Sequence, residues 1–305
     1  MSLAQSIAHQ SALRSIARVV EETVTPTDPA VALPEIAGQL RSGGVLVITG
    51  AGVSTDSGIP DYRGPNGSLT RHRPMTYQEF KHDPAALQRY WARSFVGWRH
   101  MAAARPNRTH FALSELEQSG FVSGVITQNV DGLHMAAGSK NVLALHGSLA
   151  DVVCLNCGNL EDRRSLDQRM ASANPRFAPA YDQSQVNPDG DVALSDADVA
   201  QFHLVGCLSC GSTLLKPNVV YFGEPVPAER KAQAKEMLLA AKSVLAVGTS
   251  LAVMSGLRLV LDAEKQGKVV SVINGGPGRA DPRAKVVWRT AVGPAFDALL
   301  DELDI

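Results

Sequence analysis

The chain has 305 residues, 45% of them apolar, enough for one large domain or two modest ones with a substantial core. Its formal net charge of −1 gives no electrostatic footprint for nucleic acid or a membrane surface. No apolar run approaches the ~20 residues that a membrane span needs.

In chain order, the first 20 residues, MSLAQSIAHQSALRSIARVV, carry two Arg, no acid and an amphipathic spacing. They read as the Ala-rich terminal helix of a cytoplasmic protein, with a mitochondrial presequence and a matrix location as the alternative. A secretory apolar core is not expected, so a reducing compartment is the default. Residues 26–34 read as a flexible lead-in. Strand-like apolar runs recur at residues 45–49, 122–127, 142–145, 244–247 and 269–273. Between them lie helical patterns such as THFALSELEQSG and PAERKAQAKEMLLAAK, the latter ending in a basic residue as the helix dipole favours. Near-continuous apolar strands alternating with helices predict a parallel sheet covered on both faces. The block RPMTYQEFKHDPAALQRYWARSFVGW and the cysteine region interrupt that alternation. The expected fold is α/β, a Rossmann-like doubly wound parallel sheet with a smaller discontinuous zinc-binding and helical domain. Its expected parts are an N-terminal extension (1–34), a Rossmann-like domain (35–66, 109–150 and 215–305) and the small domain (67–108 and 151–214).

Four cysteines form two pairs, Cys154-x-x-Cys157 and Cys207-x-x-Cys210. In a reducing compartment these read as an all-cysteine zinc site, since four thiolates satisfy tetrahedral zinc. Gly158 and Gly211 follow the second cysteine of each pair, as the tight turn of a knuckle favours. A redox pair or two disulfides are the alternatives, and neither accounts for the shared knuckle form. The 49 residues between the pairs exceed the ~15–20 of a compact ribbon. An insertion must loop out there, and NPDGDVALSDADV (residues 187–199) reads as a turn and then a short helix within it.

In a doubly wound sheet, ligands bind at the carboxyl ends of the strands. After the first strand comes Gly50-Ala51-Gly52, small enough for a diphosphate to approach the backbone. After the second comes TQNVDGLH, after the third LHGS, then Gly248-Thr249-Ser250 and finally Asn274-Gly275-Gly276. Any one of these is an ordinary turn, but five strands ending in small or polar residues point to an extended phosphate-bearing ligand. The acid expected ~20 residues beyond the glycines of a dehydrogenase is not evident. Asp61 and Arg63, 9 and 11 residues beyond Gly52, are too close for that role and are expected to fold over the ligand. This weakens hydride transfer and leaves nucleotide binding intact. His146 emerges from an apolar strand eight residues before the first cysteine, and an imidazole of pKa near ~6.5 suits a general base. A structural histidine is the plain alternative. His134, the rival, falls in the following helix and is expected to pack there.

The segments GAGVSTDSGIPDYRG, TQNVDGLH, HGS, the two knuckles, KPNVVYFGE, GTSLAV and ING, in this order, resemble sirtuins, the NAD-dependent protein lysine deacylases. The resemblance spans roughly residues 40–293. RYWARSFVGW, the long insertion and PDGDVALSD are similar to class II sirtuins of the mitochondrial lipoamidase and ADP-ribosyltransferase type and their bacterial relatives. It implies NAD as co-substrate across the strand ends, with its diphosphate at Gly50, Ala51 and Gly52, and Ser54 among the residues that bind the cofactor. Ile59 and Asp61 would hold the nicotinamide carboxamide, Tyr62 would shield the reactive ribose carbon, and Arg63 would order the phosphate side. Gln128, Asn129 and Asp131 would bind the nicotinamide and ribose region. Gly248, Thr249, Ser250, Asn274, Gly275, Gly276 and Val292 would lie along the adenosine half. Attack by the acyl-lysine carbonyl oxygen on the ribose carbon would expel nicotinamide. His146, assisted by Asn129 and Asp131, would then act as base on a ribose hydroxyl, giving the free amine and O-acyl-ADP-ribose. The zinc would be structural.

VVYFGE, with Val219, Val220, Phe222, Gly223 and Glu224, would offer an extended edge to the backbone of an acyl-lysine protein or peptide. An ordinary strand explains the pattern equally well. Tyr90 and Arg93 are spaced i, i+3 and share a helix face, resembling the Tyr-x-x-Arg with which desuccinylating sirtuins hold an acidic acyl group. That reading favours acidic or bulky acyl chains over acetyl; a solvated Arg beside a packed Tyr is the alternative. Protein mono-ADP-ribosylation or lipoamidase activity would use the same site. A binding module for NAD or ADP-ribose is the remaining alternative, and it would not need His146.

Overall fold

The computed structural model describes residues 3–65, 67–181 and 186–305. Met1 and Ser2 of the expected N-terminal extension, Asn66 at the end of the first Rossmann-like stretch and residues 182–185 of the insertion lie outside the described residues. Helices α1 (Leu3–Ile16) and α2 (Pro29–Arg41) lead to β1 (Val45–Thr49). The Asp28 carboxylate caps α2 by accepting from the Ala30 amide at 2.8 Å, and Pro29 occupies the first turn, where no amide hydrogen is needed. Two 3-10 turns, Ala51–Val53 and Thr55–Ser57, occupy the position where a doubly wound fold usually starts a helix. The Ser, Thr and Asp side chains of this stretch compete for backbone groups, and Gly58 closes the second turn at φ 80°.

The chain continues through a 3-10 turn (Ser68–Thr70), α3 (Tyr77–His82), α4 (Pro84–Ala103) and α5 (Arg108–Gln118). Then come β2 (Val122–Thr127), the short α6 (Leu133–Ala136), β3 (Val142–Ala144) and β4 (Gly147–Cys154). Next are β5 (Leu160–Asp162), α7 (Arg163–Ala173), α8 (Asp196–Ala200) and β6 (Leu215–Val219). It closes with α9 (Ala228–Ala240), β7 (Ser243–Val247), α10 (Met254–Lys265), β8 (Val270–Ile273), β9 (Val286–Trp288) and α11 (Val292–Leu303).

Six strands form one parallel sheet in the order β3-β2-β1-β7-β8-β9. The order reverses between β1 and β7, so two strand ends diverge there and leave a crevice. The period-two alternation of strand side chains divides β1 between two cores. Val45 and Val47 face Ile36, Leu40, Leu113 and Phe296 from α2, α5 and α11, whereas Leu46 and Ile48 face Leu238 and Val260 from α9 and α10. A sheet covered on both faces follows, as the unbroken apolar strands required.

The second sheet is antiparallel, in the order β5-β4-β6. Val152 pairs with Pro217 and Cys154 with Leu215, so β4 and β6 belong together. The sequence boundaries at 150/151 and 214/215 instead left the start of β4 and all of β6 in the Rossmann-like part. Pro217 is tolerated because β6 is an edge strand of this sheet. A third core fills the space between this sheet, α4 and α7, with Trp91, Phe95, Leu166 and Phe202 among its members. Trp91 Nε1 donates to the Leu215 carbonyl at 2.9 Å, and the guanidinium of buried Arg163 stacks on Trp91 and Trp98. No described helix is long and apolar enough to cross a membrane.

Candidate active site

A cavity of about 1460 Å³ opens at the carboxyl ends of the parallel strands and runs to the small domain. It exceeds the ~300–1,000 Å³ of an ordinary small-molecule pocket, leaving room for a dinucleotide and a substrate side chain together. Two turns form its base. The Gly52 amide donates to the Gly248 carbonyl at 2.9 Å, and a Cβ on Gly52 would lie 2.8 Å from that oxygen. Small residues are thus required by the meeting of two backbone turns, in addition to any ligand approach. Gln128 ties these turns together: its Nε2 donates to the Thr49 carbonyl at 3.1 Å and to Thr249 Oγ1 at 2.9 Å. Asn129 Nδ2 donates to the Gly50 carbonyl at 3.1 Å and to Ser54 Oγ at 3.0 Å, and Ser54 Oγ in turn donates to Asp131 Oδ2 at 2.8 Å. This relay holds the side chains that follow β2 against the turn that follows β1. Ala51, Ser250, Gly275, Gly276 and Val292 line the same cavity, as does Asn274, whose Nδ2 donates to the Gly276 carbonyl at 2.7 Å.

His146 lines the cavity between β3 and β4. Its Nδ1 lies 3.0 Å from the Gln128 carbonyl, which can only accept, so Nδ1 carries the proton. Nε2 is left with its lone pair and accepts from Ser255 Oγ at 2.8 Å. Burial pushes the imidazole pKa down to about 4, against the opposing pull of the Gln128 carbonyl, and Arg230 lowers it further. His146 is therefore a neutral imidazole with a basic nitrogen toward the cavity. Gly147 makes the kink possible: φ is +87°, and a Cβ would lie 2.0 Å from the Asn218 carbonyl oxygen. His134 lies elsewhere, 2% exposed, with Nε2 2.9 Å from Thr49 Oγ1 and its ring 4.8 Å from that of His110.

The lid that follows the 3-10 turns also lines the cavity, with Ile59, Asp61, Tyr62 and Arg63. Asp61 Oδ1 accepts from the Gly64 amide at 2.8 Å and so shapes the lid. The Tyr62 ring meets Phe222 edge-on at 6.3 Å. Arg63 points to the N-terminal segment, donating to the carbonyls of Ser15 at 3.1 Å and Arg18 at 3.4 Å. The amphipathic N-terminal segment is thus part of the wall: Ala12 and Ile16 are buried, and both line the cavity. Its only advance signal was the spacing of apolar residues, which does not say what the helix packs on.

Val219, Val220, Phe222, Gly223 and Glu224 line the cavity as well, but the β6 strand ends at Val219. Val220 donates to the His146 carbonyl at 2.7 Å, and the Phe222 carbonyl accepts from Tyr77. Glu224 makes an ion pair with the buried Lys216 at 3.1 Å. Of the two residues of the expected carboxylate receptor, Tyr90 lines the cavity and Arg93 does not. Residues three apart on a helix differ by about 60° around its axis, and on α4 that turns Arg93 toward His72 behind the wall. Ser255 and Asp189, which sequence reasoning did not single out, both line the cavity.

The sulfurs of Cys154, Cys157, Cys207 and Cys210 all lie within 4.8 Å of one another, and the Cys154–Cys210 and Cys157–Cys207 pairs are 3.7 Å apart. Tetrahedral zinc with Zn–S bonds of ~2.3 Å places its sulfurs ~3.8 Å apart, so the donor set fits zinc. The amides of Gly158 and Gly211 close each knuckle on the carbonyls of Cys154 and Cys207, both at 2.9 Å. Four cysteine ligands leave no open position, which makes the metal structural.

Together these features define an α/β enzyme that lays an extended nucleotide across its strand ends and holds a neutral histidine at the mouth of a zinc-supported domain. Residues 50–255 match the Sir2 family. NAD-dependent protein deacetylase 1 of Corynebacterium efficiens is 60% identical over 280 residues, 91% of this chain and 100% of that protein. NAD-dependent protein deacylase Sirt4 of Drosophila melanogaster is 42% identical over 260 residues, 84% of this chain and 82% of its own length. A solved complex of Sir2 with a p53 peptide and NAD+ matches with a TM-score of 0.70 at 29% identity, covering 88% of this chain and 98% of that one. The chain belongs to the Sir2 family of NAD-dependent protein deacylases.

Proposed function

We propose that this chain removes acyl groups from protein lysines, consuming one NAD and one water and releasing nicotinamide, the free amine and O-acyl-ADP-ribose. The observation that carries the reading is His146, a neutral imidazole held by the Gln128 carbonyl with Nε2 toward the cavity. NAD supplies a ribosyl carbon open to attack and nicotinamide as leaving group. The turns at 50–52 and 248–250 hold the diphosphate and adenosine side, and Asn129, Ser54 and Asp131 position the ribose by their relay. Ile59, Asp61 and Tyr62 cover the nicotinamide end and exclude water. His146 Nε2 takes a proton from a ribose hydroxyl that replaces Ser255 Oγ as its partner. The segment 219–224 receives the substrate backbone. Acyl chains bulkier than acetyl fit a cavity of this size. A cytoplasmic location suits a metal site built from four unbridged cysteines.

The test is mass spectrometry of the products formed from NAD and acyl-lysine peptides. O-acyl-ADP-ribose is expected, and His146→Ala removes it. ADP-ribose found on the peptide or protein instead would assign a transferase output to the site. Absence of nicotinamide release with every peptide would refute the enzyme reading.

A further inference from the structure

On the small-domain side of the cavity, the buried Asp189 Oδ1 has no hydrogen-bond partner among the described residues, and the buried Tyr90 and Tyr221 hydroxyls face each other, with Ser94 beside Tyr90, in poorly aligned contacts. Tyr90, Tyr221 and Asp189 come from α4, from the segment after β6 and from the insertion between the cysteine pairs, yet all three residues line the one cavity. The Tyr90 and Tyr221 rings are 5.6 Å apart, and Tyr90 is 2% exposed. Buried polar atoms are nearly always partnered, so the unpartnered Asp189 oxygen and two poorly aligned hydroxyls on one cavity call for a polar atom of the ligand. The 219–224 segment runs from the His146 carbonyl, which Val220 binds, to this cluster. An acyl chain whose amide sits beside His146 therefore extends toward it.

Asp189 sits in a hydrogen-bonded turn. Gly190, at φ +77°, donates its amide to the Asn187 carbonyl at 2.8 Å, and the Asn187 amide donates to the Asp191 carbonyl at 2.9 Å. The turn presses on α4 at Gly97, where a Cβ would lie 2.4 Å from the Gly190 carbonyl oxygen. Asp191 is already engaged, by Asn187 Nδ2 and by His72 at 3.4 Å. The charged and titratable groups around Asp189 are Asp191, His72, Tyr62, Tyr90 and Tyr221, with Arg93 next to His72. Glu224 lies beyond Tyr221, paired with Lys216, and Arg63 is bound to the N-terminal segment. The two cationic groups, His72 and Arg93, do not line the cavity, and His72 is paired with Asp191, so the carboxyl and phenol groups that remain make a poor receptor for an anion. They make a good one for a neutral group that both donates and accepts.

We propose that Asp189, Tyr90 and Tyr221 form an acyl-selecting subsite that binds a hydroxyl on the acyl chain and discriminates against a carboxylate in the same place. The proposal rests on the deacylase reading and names its substrate class: neutral hydroxyacyl-lysine. The acyl hydroxyl donates to the Asp189 carboxylate and accepts from a phenol. Burial, reinforced by the Asp191 charge, pushes the Asp189 carboxyl up to about 7, so a second negative charge from the substrate is doubly unwelcome.

The test uses lysine peptides bearing butyryl, 3-hydroxybutyryl and succinyl groups, which share a four-carbon chain, with kcat/KM measured from deacylated peptide. The wild-type enzyme is expected to favour 3-hydroxybutyryl over butyryl by about tenfold and to rank succinyl last, since a site built to hydrogen-bond a hydroxyl rejects analogues that lack it. Asp189→Ala brings the 3-hydroxybutyryl-to-butyryl ratio to about one, whereas Asp189→Asn keeps most of it, because the amide still donates and accepts. Each ratio is taken within one variant, so a general loss of activity cancels. Tyr90→Phe keeps the test decisive if Asp189→Ala does not fold: it keeps the ring that packs in the small-domain core and removes only the hydroxyl, so the protein folds while the ratio falls. A wild-type ratio near one, or succinyl as the preferred group, overturns the subsite while leaving deacylation intact. No turnover of any acyl peptide removes the deacylase reading and this inference with it.

Discussion

His134 makes a stability prediction whose sign and size both follow from its surroundings. It is 2% exposed, bonded to Thr49 Oγ1 at 2.9 Å and stacked on His110, with Nδ1 left without a partner among the described residues. Burial, with the neighbouring His110 adding to it, pushes its pKa down to about 3. The unfolded chain takes up this proton near ~6.5. The folded value lies below the unfolded one, so the unfolded state binds more protons as the pH falls, and stability is lost. His134 therefore contributes its full stabilisation above pH ~6.5 and loses about 1.4 kcal/mol for each pH unit between there and pH ~3. Between pH 7 and pH 5 the loss comes to about 2 kcal/mol, a sizeable share of the ~5–15 kcal/mol by which domains are stable. The assay is urea unfolding at pH 5, 6 and 7 for wild type and His134→Gln, whose amide can still reach Thr49. The variant is less stable than wild type at pH 7, and the gap narrows by about 2 kcal/mol at pH 5. Parallel curves would show that His134 does not resist protonation and would refute the reasoning.

Two further outcomes follow from the geometry. Stripping the metal with a chelator is expected to disorder the β5-β4-β6 sheet, because the knuckles join the end of β4 to the loop before β6, and to lower the Tm. A melt unchanged after metal analysis shows the zinc gone would reject a structural role. Gly52→Ala forces a methyl to within 2.8 Å of the Gly248 carbonyl oxygen; the expected cost is about 1–3 kcal/mol with a raised KM for NAD. Gly276→Ala, with no heavy atom within 4 Å of the new methyl, serves as its control and leaves stability unchanged.

What the sequence made legible followed from strong, local patterns. Strands of unbroken apolar residues such as VLVIT and SVLAV can sit only in a sheet covered on both faces, and both are buried throughout. The small or polar residues that follow each strand are visible one segment at a time, and the parallel topology gathers them. The cysteine spacing carries its own geometry. The rest depended on tertiary placement. β4 mixes buried and exposed positions irregularly as it leaves one domain for the other, and β9 has three residues, too few for a period. Arg93 shares a helical stripe with Tyr90 by spacing, and only the packing of α4 shows that the cavity wall falls between them. Asp189 sits in an acidic, glycine-bearing turn that reads as a solvated loop until Gly97 and Gly190 are seen in contact.

The two halves of the site differ in what holds them. The NAD half is inseparable from the fold. β1 and β7 are hydrogen-bonded neighbours along their whole length, so residues 50–52 and 248–250 must leave the sheet side by side. The Gly52–Gly248 bond and the Gln128 bridge then follow from strand register. A change there disturbs the sheet as well as the ligand, which is why Gly52→Ala is expected to move stability and KM together. The proposed acyl subsite takes Asp189 from a turn inside a long insertion, held by the Gly97–Gly190 contact to α4 and by the His72–Asp191 pair. Side chains on that turn can change without altering the register of either sheet. The proposed acyl subsite can therefore be altered without touching the NAD half, so the acyl-peptide ratios of the Asp189 variants test selectivity apart from the reaction itself.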